Sequence, residues 1–237
     1  MADGADGAGL CLGAAWGLDF PARPGERSFV ALGGELLAAA PAGDGPLPRP
    51  LDYLVVAHEA YDAAPAGLAA GYLAEACPGE PRAFSVADQG IGAPFSGLEL
   101  LDRIHRGAGL GDAALFVLEP AAGAALALGG TGGTGGWRLE TVAEERAGAA
   151  ADCLPPLLER GGAYLLGDGL RAQAGALEAA GATVWTATAG HGCAGVWRAL
   201  GGALAGAGAG EAGAVRLVIA DWDGGLGRLH VAVFVAG

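Results

Sequence analysis

The stretch Arg82-Ala83-Phe84-Ser85-Val86-Ala87-Asp88-Gln89-Gly90-Ile91-Gly92-Ala93-Pro94-Phe95-Ser96-Gly97-Leu98-Glu99-Leu100-Leu101 passes through three patterns in turn. Arg82 to Ala87 reads as a strand, Asp88 to Phe95 as a Gly/Pro-rich junction, and Ser96 to Arg106 as a helix with Leu98, Leu101 and Ile104 on one face. A strand feeding a helix through a glycine turn is the building unit of α/β proteins, and chemistry gathers at such strand ends.

The same unit recurs on both sides. Upstream, Leu10 to Gly17 suits a strand, Ser28 to Ala40 a helix, Leu51 to His58 a strand and Gly67 to Cys77 a helix, with the proline-rich Pro41 to Pro50 between them as a loop. Downstream, Ala113 to Leu118 and Ala124 to Leu128 read as strands. The rest repeats the rhythm. A helical region is expected over Ala143 to Glu159, restarted at Pro155-Pro156, then a strand at Ala163 to Leu166 and a helix at Gly169 to Ala180. Thr183 to Thr188 forms a strand that turns through Gly190-His191-Gly192 into a helix, Ala194 to Leu204. Ala205 to Ala214 reads as a Gly/Ala loop. Val215 to Asp221 and Arg228 to Val235 close as a hairpin through Gly224-Gly225. The expectation is one α/β domain of two pseudo-repeated βαβαββ halves, residues 1–142 and 143–237, each ending in a hairpin.

Composition narrows the function. The 237 residues carry 26 acidic against 13 basic side chains, a formal charge of −13, with 52% hydrophobic residues. That supports a sizeable core and argues against a nucleic-acid partner, which needs clustered basic groups. All the basic residues are arginine. Without lysine there is no Walker A clamp and no Schiff-base chemistry. Cys11, Cys77, Cys153 and Cys193 lack zinc or redox spacing and read as reduced thiols, the N-terminus is acidic, and no run suits a membrane span, so a cytoplasmic protein is expected.

Most motifs weaken on inspection. Gly130-Thr131-Gly132-Gly133-Thr134-Gly135 fits a dinucleotide fingerprint, but the Trp137 to Val142 that follows alternates like a strand, so no cofactor is expected. His58, His105, His191 and His230 are scattered, and no metal is expected. Gly190-His191-Gly192-Cys193 sits where a helix dipole would activate a thiol, although free cysteines are commonly buried fillers. Asp88 stands at the other junction, as a base or as a helix cap.

Taken in order, several segments resemble the thiolase superfamily, and within it the beta-ketoacyl-ACP synthase III type of condensing enzyme. Arg49 to Val56, Arg82 to Val86, Ser96 to Leu101, Leu115 to Glu119, Gly190 to Leu200 and Asp221 to Gly227 carry the likeness. The resemblance implies a Cys-His-Asn triad, and it places Phe95, Leu166 and His191 at those three positions. A phenyl ring forms no thioester. Glu119 also runs directly into Pro120 to Ala124, without the excursion that helps cap the acyl pocket in that family.

The resemblance therefore implies a degenerate, non-catalytic subunit, akin to a chain-length factor, in a heterodimeric condensing enzyme of polyketide or fatty-acid-type metabolism. A catalytic ketosynthase homologue would pair along Arg82, Ala83, Phe84, Ser85, Val86 and Ala87 and would bind acyl carrier protein or acyl-CoA. Two other readings stand beside it: a divergent stand-alone acyltransferase or hydrolase using His191 with Asp88, Asp168 or Cys193, and a homodimeric scaffold.

Overall fold

A computed structural model describes residues 9–20, 27–40, 47, 50–59, 68–109, 111–129, 136–208 and 216–236. The first half runs β1 (Cys11–Asp19), α1 (Phe29–Ala38), β2 (Tyr53–Ala57), α2 (Leu68–Ala76), β3 (Arg82–Val86), α3 (Ala93–Ala108), β4 (Asp112–Glu119) and β5 (Ala122–Gly129). The second runs β6 (Trp137–Arg146), α4 (Leu154–Arg160), β7 (Ala163–Leu166), α5 (Ala174–Ala179), β8 (Val184–Thr186), α6 (Gly195–Gly208), β9 (Arg216–Asp223) and β10 (Arg228–Ala236). The α/β repeat with terminal hairpins is as expected, and each half holds one more strand–helix unit than the βαβαββ shorthand.

The strands lie in the order β3-β2-β4-β5-β1-β6-β10-β9-β7-β8. Numbered within each half, this reads the same from both ends. The halves are thus related by a pseudo-twofold axis at the β1–β6 junction, where Cys11 faces Arg138 and Leu12 faces Trp137. In each half the first strand and the hairpin pair antiparallel, and the strands joined through helices pair parallel.

Alternation along the strands divides the core into layers. Val55, Leu115, Val117, Leu165, Leu217 and Ile219 face a central layer with Phe95, Leu98, Trp197 and Leu200 of α3 and α6. Leu54, Val56, Phe116 and Leu118 face outward onto Phe29, Leu32 and Leu36 of α1 and Leu73 of α2. Tyr164, Leu166, Val218 and Val231 face the other way, onto Leu157, Leu170 and Leu177. The two halves of the sheet therefore clasp a pair of helices, and each carries its own outer helices.

Three element assignments change. Residues 143–146 belong to β6 rather than to a helix, and β6 runs across the 142/143 division. Its Ala-Glu-Glu-Arg run favours helix locally, but β10 offers a full antiparallel ladder, with Glu144 opposite His230 and ion-paired to Arg228. The Gly/Ala stretch after Leu204 continues α6 to Gly208, and residues 209–215, like the Gly130–Gly135 motif, lie outside the described residues. Helix α3 starts three residues before Ser96, because Pro94 fits the first turn, where its missing N–H costs nothing. Its N-cap is Gly92, so Asp88 does not cap it.

Candidate functional site

Helices α3 and α6, each fed by an outermost strand of the sheet, meet near their N-termini. The turns that lead into these two helices share one backbone. Asp88 and Gly90 have φ of 60° and 54°, and Gly190 and Gly192 have φ of 80° and 50°. A single 3-10 turn then opens each helix, over Gly90–Gly92 and Gly192–Ala194. Left-handed backbone suits glycine, and a β-carbon on Gly192 would also crowd the Glu119 carboxylate.

Phe95 and Trp197 are the third residues of α3 and α6, and they meet at the axis edge to face with centroids 5.0 Å apart. Phe95 is 2% exposed. Its other side stacks on His230 of β10 at 5.6 Å. Burial pulls the His230 pKa below the usual imidazole value, against the opposing pull of Glu144 and Asp223, which favours the neutral ring. The place assigned to an acyl-accepting thiol is thus filled by an aromatic stack.

The remaining candidates do not assemble around it. Leu166 is fully buried in the second half's outer core with Tyr164, Leu170 and Leu177, and is not part of the central layer. The next residue, Gly167, abuts Asp221 so closely that a β-carbon there would overlap the carboxyl group. Asp221 accepts hydrogen bonds from the backbone N–H groups of Gly169 (3.0 Å) and Trp222 (2.9 Å), and burial raises its pKa to about 7. His191 lies with Nε2 3.7 Å from Asp19, whose carboxylate also pairs with Arg198. Asp168 is paired with Arg171 at 3.1 Å, and Asp88 is exposed.

Cys193 has a different partner from the one its neighbour suggested. Its thiol donates to Glu119 Oε1 at 3.0 Å, and the Glu59 N–H donates to the same oxygen at 2.7 Å. Burial first, then the adjacent Glu119 charge, pushes the thiol pKa well above its ordinary value. A thiol held in this way is a hydrogen-bond donor and a poor nucleophile. The Glu59 carboxyl is raised too, by burial and by the Glu119 and Asp223 charges. No group of three His, Cys, Asp or Glu among the described residues is arranged to hold a metal.

No protein-family model matches the sequence, and no curated protein does. Solved structures do. The tetronic acid condensing enzyme AbyA1 superimposes with a TM-score of 0.75 at 15% identity, over 95% of this chain and 99% of that one. FabH of Pseudomonas aeruginosa, a 3-oxoacyl-(acyl carrier protein) synthase III, does so with a TM-score of 0.68 at 14% identity, over 96% and 98%. A variant of Xanthomonas campestris OleA gives 0.66 at 12%, over 97% and 99%. The fold is that of the ketosynthase III-like condensing enzymes. In this thiolase-type frame the axis is where the halves meet, and here it is occupied by Phe95, Trp197 and His230.

Sequence reasoning flagged Phe95 and His191, weighed His230 only as one of four scattered histidines, and gave no site role to Trp197 or Asp221. Trp197 was legible in part, since it follows the second turn at the same distance at which Phe95 follows the first. The partnership of His230 with Phe95 had no local signal, because the two lie in different halves.

Proposed function

We propose that this chain is a non-catalytic subunit of a ketosynthase III-like condensing or acyl-transfer enzyme, in which a catalytic homologue supplies the thiol nucleophile. The observation that carries this reading is the buried Phe95 ring in the first turn of α3, wedged between Trp197 and His230. Acylation needs a nucleophile with a base within hydrogen-bond reach. Cys193, which shares the central layer with Phe95, keeps its proton and shares it with Glu119, while His191 faces Asp19. The stand-alone reading built on His191, Asp88, Asp168 and Cys193 loses support for the same reason.

The partner would pair along β3, an outermost strand of the sheet, and would carry the acyl carrier protein or acyl-CoA. Arg82, Phe84 and Ser85 are exposed there, and Phe84 is 40% exposed while stacked on Tyr53 at 6.0 Å. An open edge carrying the exposed Phe84 ring, stacked on half-buried Tyr53, supports a protein partner on that side.

The test is co-expression with a catalytically complete ketosynthase III-like homologue from the same genome, followed by size-exclusion with light scattering. A 1:1 complex whose condensing activity on acyl thioesters exceeds that of the homologue alone is the expected result. No complex, and no change in the homologue's activity, would remove the proposal.

A further inference from the structure

The residues on either side of β3 carry a pattern that bears on which partner the edge accepts. Among the described residues, only two other than glycine have left-handed backbone, Glu80 (φ 53°) and Asp88 (φ 60°). They stand four positions before and four positions after Phe84, the middle of the strand. Both are exposed acids. Glu75 lines the same surface groove as Glu80 at the head of the strand, and Arg82 is the basic residue between.

These positions decide whether the edge can pair with itself. A joint of two β3 strands, antiparallel about a twofold axis and centred on the mid-strand Phe84, would set the head of each strand against the tail of the other. Glu75, Glu80 and Arg82 of one copy would approach Asp88 of its mate. Three carboxylates share one guanidinium at each end of such a joint, and like charges facing across strands are destabilising. Arg82 does not restore the balance, since it is one cation shared among the three.

We infer that β3 is built to refuse a second copy of this chain and to accept a different chain's edge strand, one with basic residues just beyond both of its ends and an apolar residue against Phe84. This rests on the reading of the chain as one member of a pair, and it adds the partner's chemistry. The acids flank the strand rather than interrupt it, so they select the partner while leaving the backbone hydrogen bonds of the edge available.

The charge pattern is tested without the partner. Glu80→Arg makes each end of a self-joint neutral, with two acids against two arginines. Sedimentation over a concentration series should show the wild type associating weakly, with Glu80→Arg tighter by on the order of ten- to a hundredfold. About 1 M salt should tighten the wild type and loosen the variant, because screening removes repulsion in one and attraction in the other. Glu80→Arg/Asp88→Arg should not self-associate but should form a 1:1 pair when mixed with wild type. A tight wild-type homodimer, or a Glu80→Arg chain and a mixture that associate no better than wild type, would overturn the inference. A wild-type homodimer that takes no acyl group would still leave the non-catalytic reading standing. An acylated chain would end that reading and leave the charge pattern untouched.

Discussion

The turn at 88–92 leads into α3, and the turn at 190–194 leads into α6. Their backbones match residue for residue in handedness, with left-handed first and third positions and a 3-10 turn before the helix. Their side chains do opposite things. The first turn presents Asp88 and Gln89 to solvent at the open edge of the sheet and delivers Phe95 to the axis. The second buries Cys193 against Glu119 of the other half. The strand-end acids follow the same crossing rule, since Glu119 reaches Gly192 and Asp223 reaches Gly90. The repeat thus preserves geometry while the chemistry is free to differ. The two edges differ as well, five residues in β3 against three in β8, so the first half offers the longer surface for pairing.

The largest expected effect tests whether the axis is shared. Trp197→Ala and Phe95→Ala should each lower the unfolding free energy by about 3–5 kcal/mol, since each empties a fully packed position against the other. The double variant should cost less than the sum, because each single change already removes their contact. Additive losses in urea titrations would mean that the two rings are not coupled.

Next comes Asp221, which lies in the second half beside Gly167 and carries a pKa of about 7. Its folded-state pKa lies above the unfolded value, so its contribution is complete below about pH 4 and is lost as pH rises through about 7. The loss is on the order of 4 kcal/mol. Asp221→Asn keeps an acceptor for the Gly169 and Trp222 N–H groups but cannot ionise. The wild type should lose stability relative to this variant between about pH 4 and pH 7, and the difference should level off above that. Parallel pH profiles would show that Asp221 is not the buried acid described.

A smaller effect separates the two turns chemically. Cys193→Ala should cost about 1–3 kcal/mol, as Glu119 loses the thiol donor. Iodoacetamide at about pH 8 should leave native Cys193 unlabelled and label it only on unfolding. Rapid labelling of the native protein would make Cys193 a nucleophile and revive the stand-alone reading. The smallest effect is at the edge: Phe84→Ala should change the stability of the isolated chain by less than about 0.5 kcal/mol, because the ring is 40% exposed.

The sequence made the repeat legible because glycine and proline punctuate each strand–helix unit and the hydrophobic periods are clean. It misled at residues 143–146, where local helix preference yields to the β10 ladder, a partner far along the chain. It also hid the end of α6, since a run of glycine and alanine carries no period at all. At the site, the resemblance alone assigned Phe95 to the position of the acyl-accepting thiol, and residue type adds only that a phenyl ring forms no thioester. What fills the surroundings was mostly hidden. Trp197 was legible only through the repeat, while His230 and Glu119 come from other elements and no spacing rule links them to Phe95 or Cys193. Leu166 illustrates the same limit, since one strand position decides between the central layer and the outer core.

This chain holds the fold of a condensing enzyme, and the proposal stands or falls on whether it lacks the covalent step. Intact-mass measurement of the purified chain incubated with acetyl-CoA and longer acyl-CoA thioesters tests this most directly, with hydroxylamine to release any thioester. An unmodified mass is expected for this chain, with an acyl adduct confined to the catalytic homologue when the two are combined. A hydroxylamine-labile acyl group on this chain, on Cys193 or any other cysteine, would contradict the proposal.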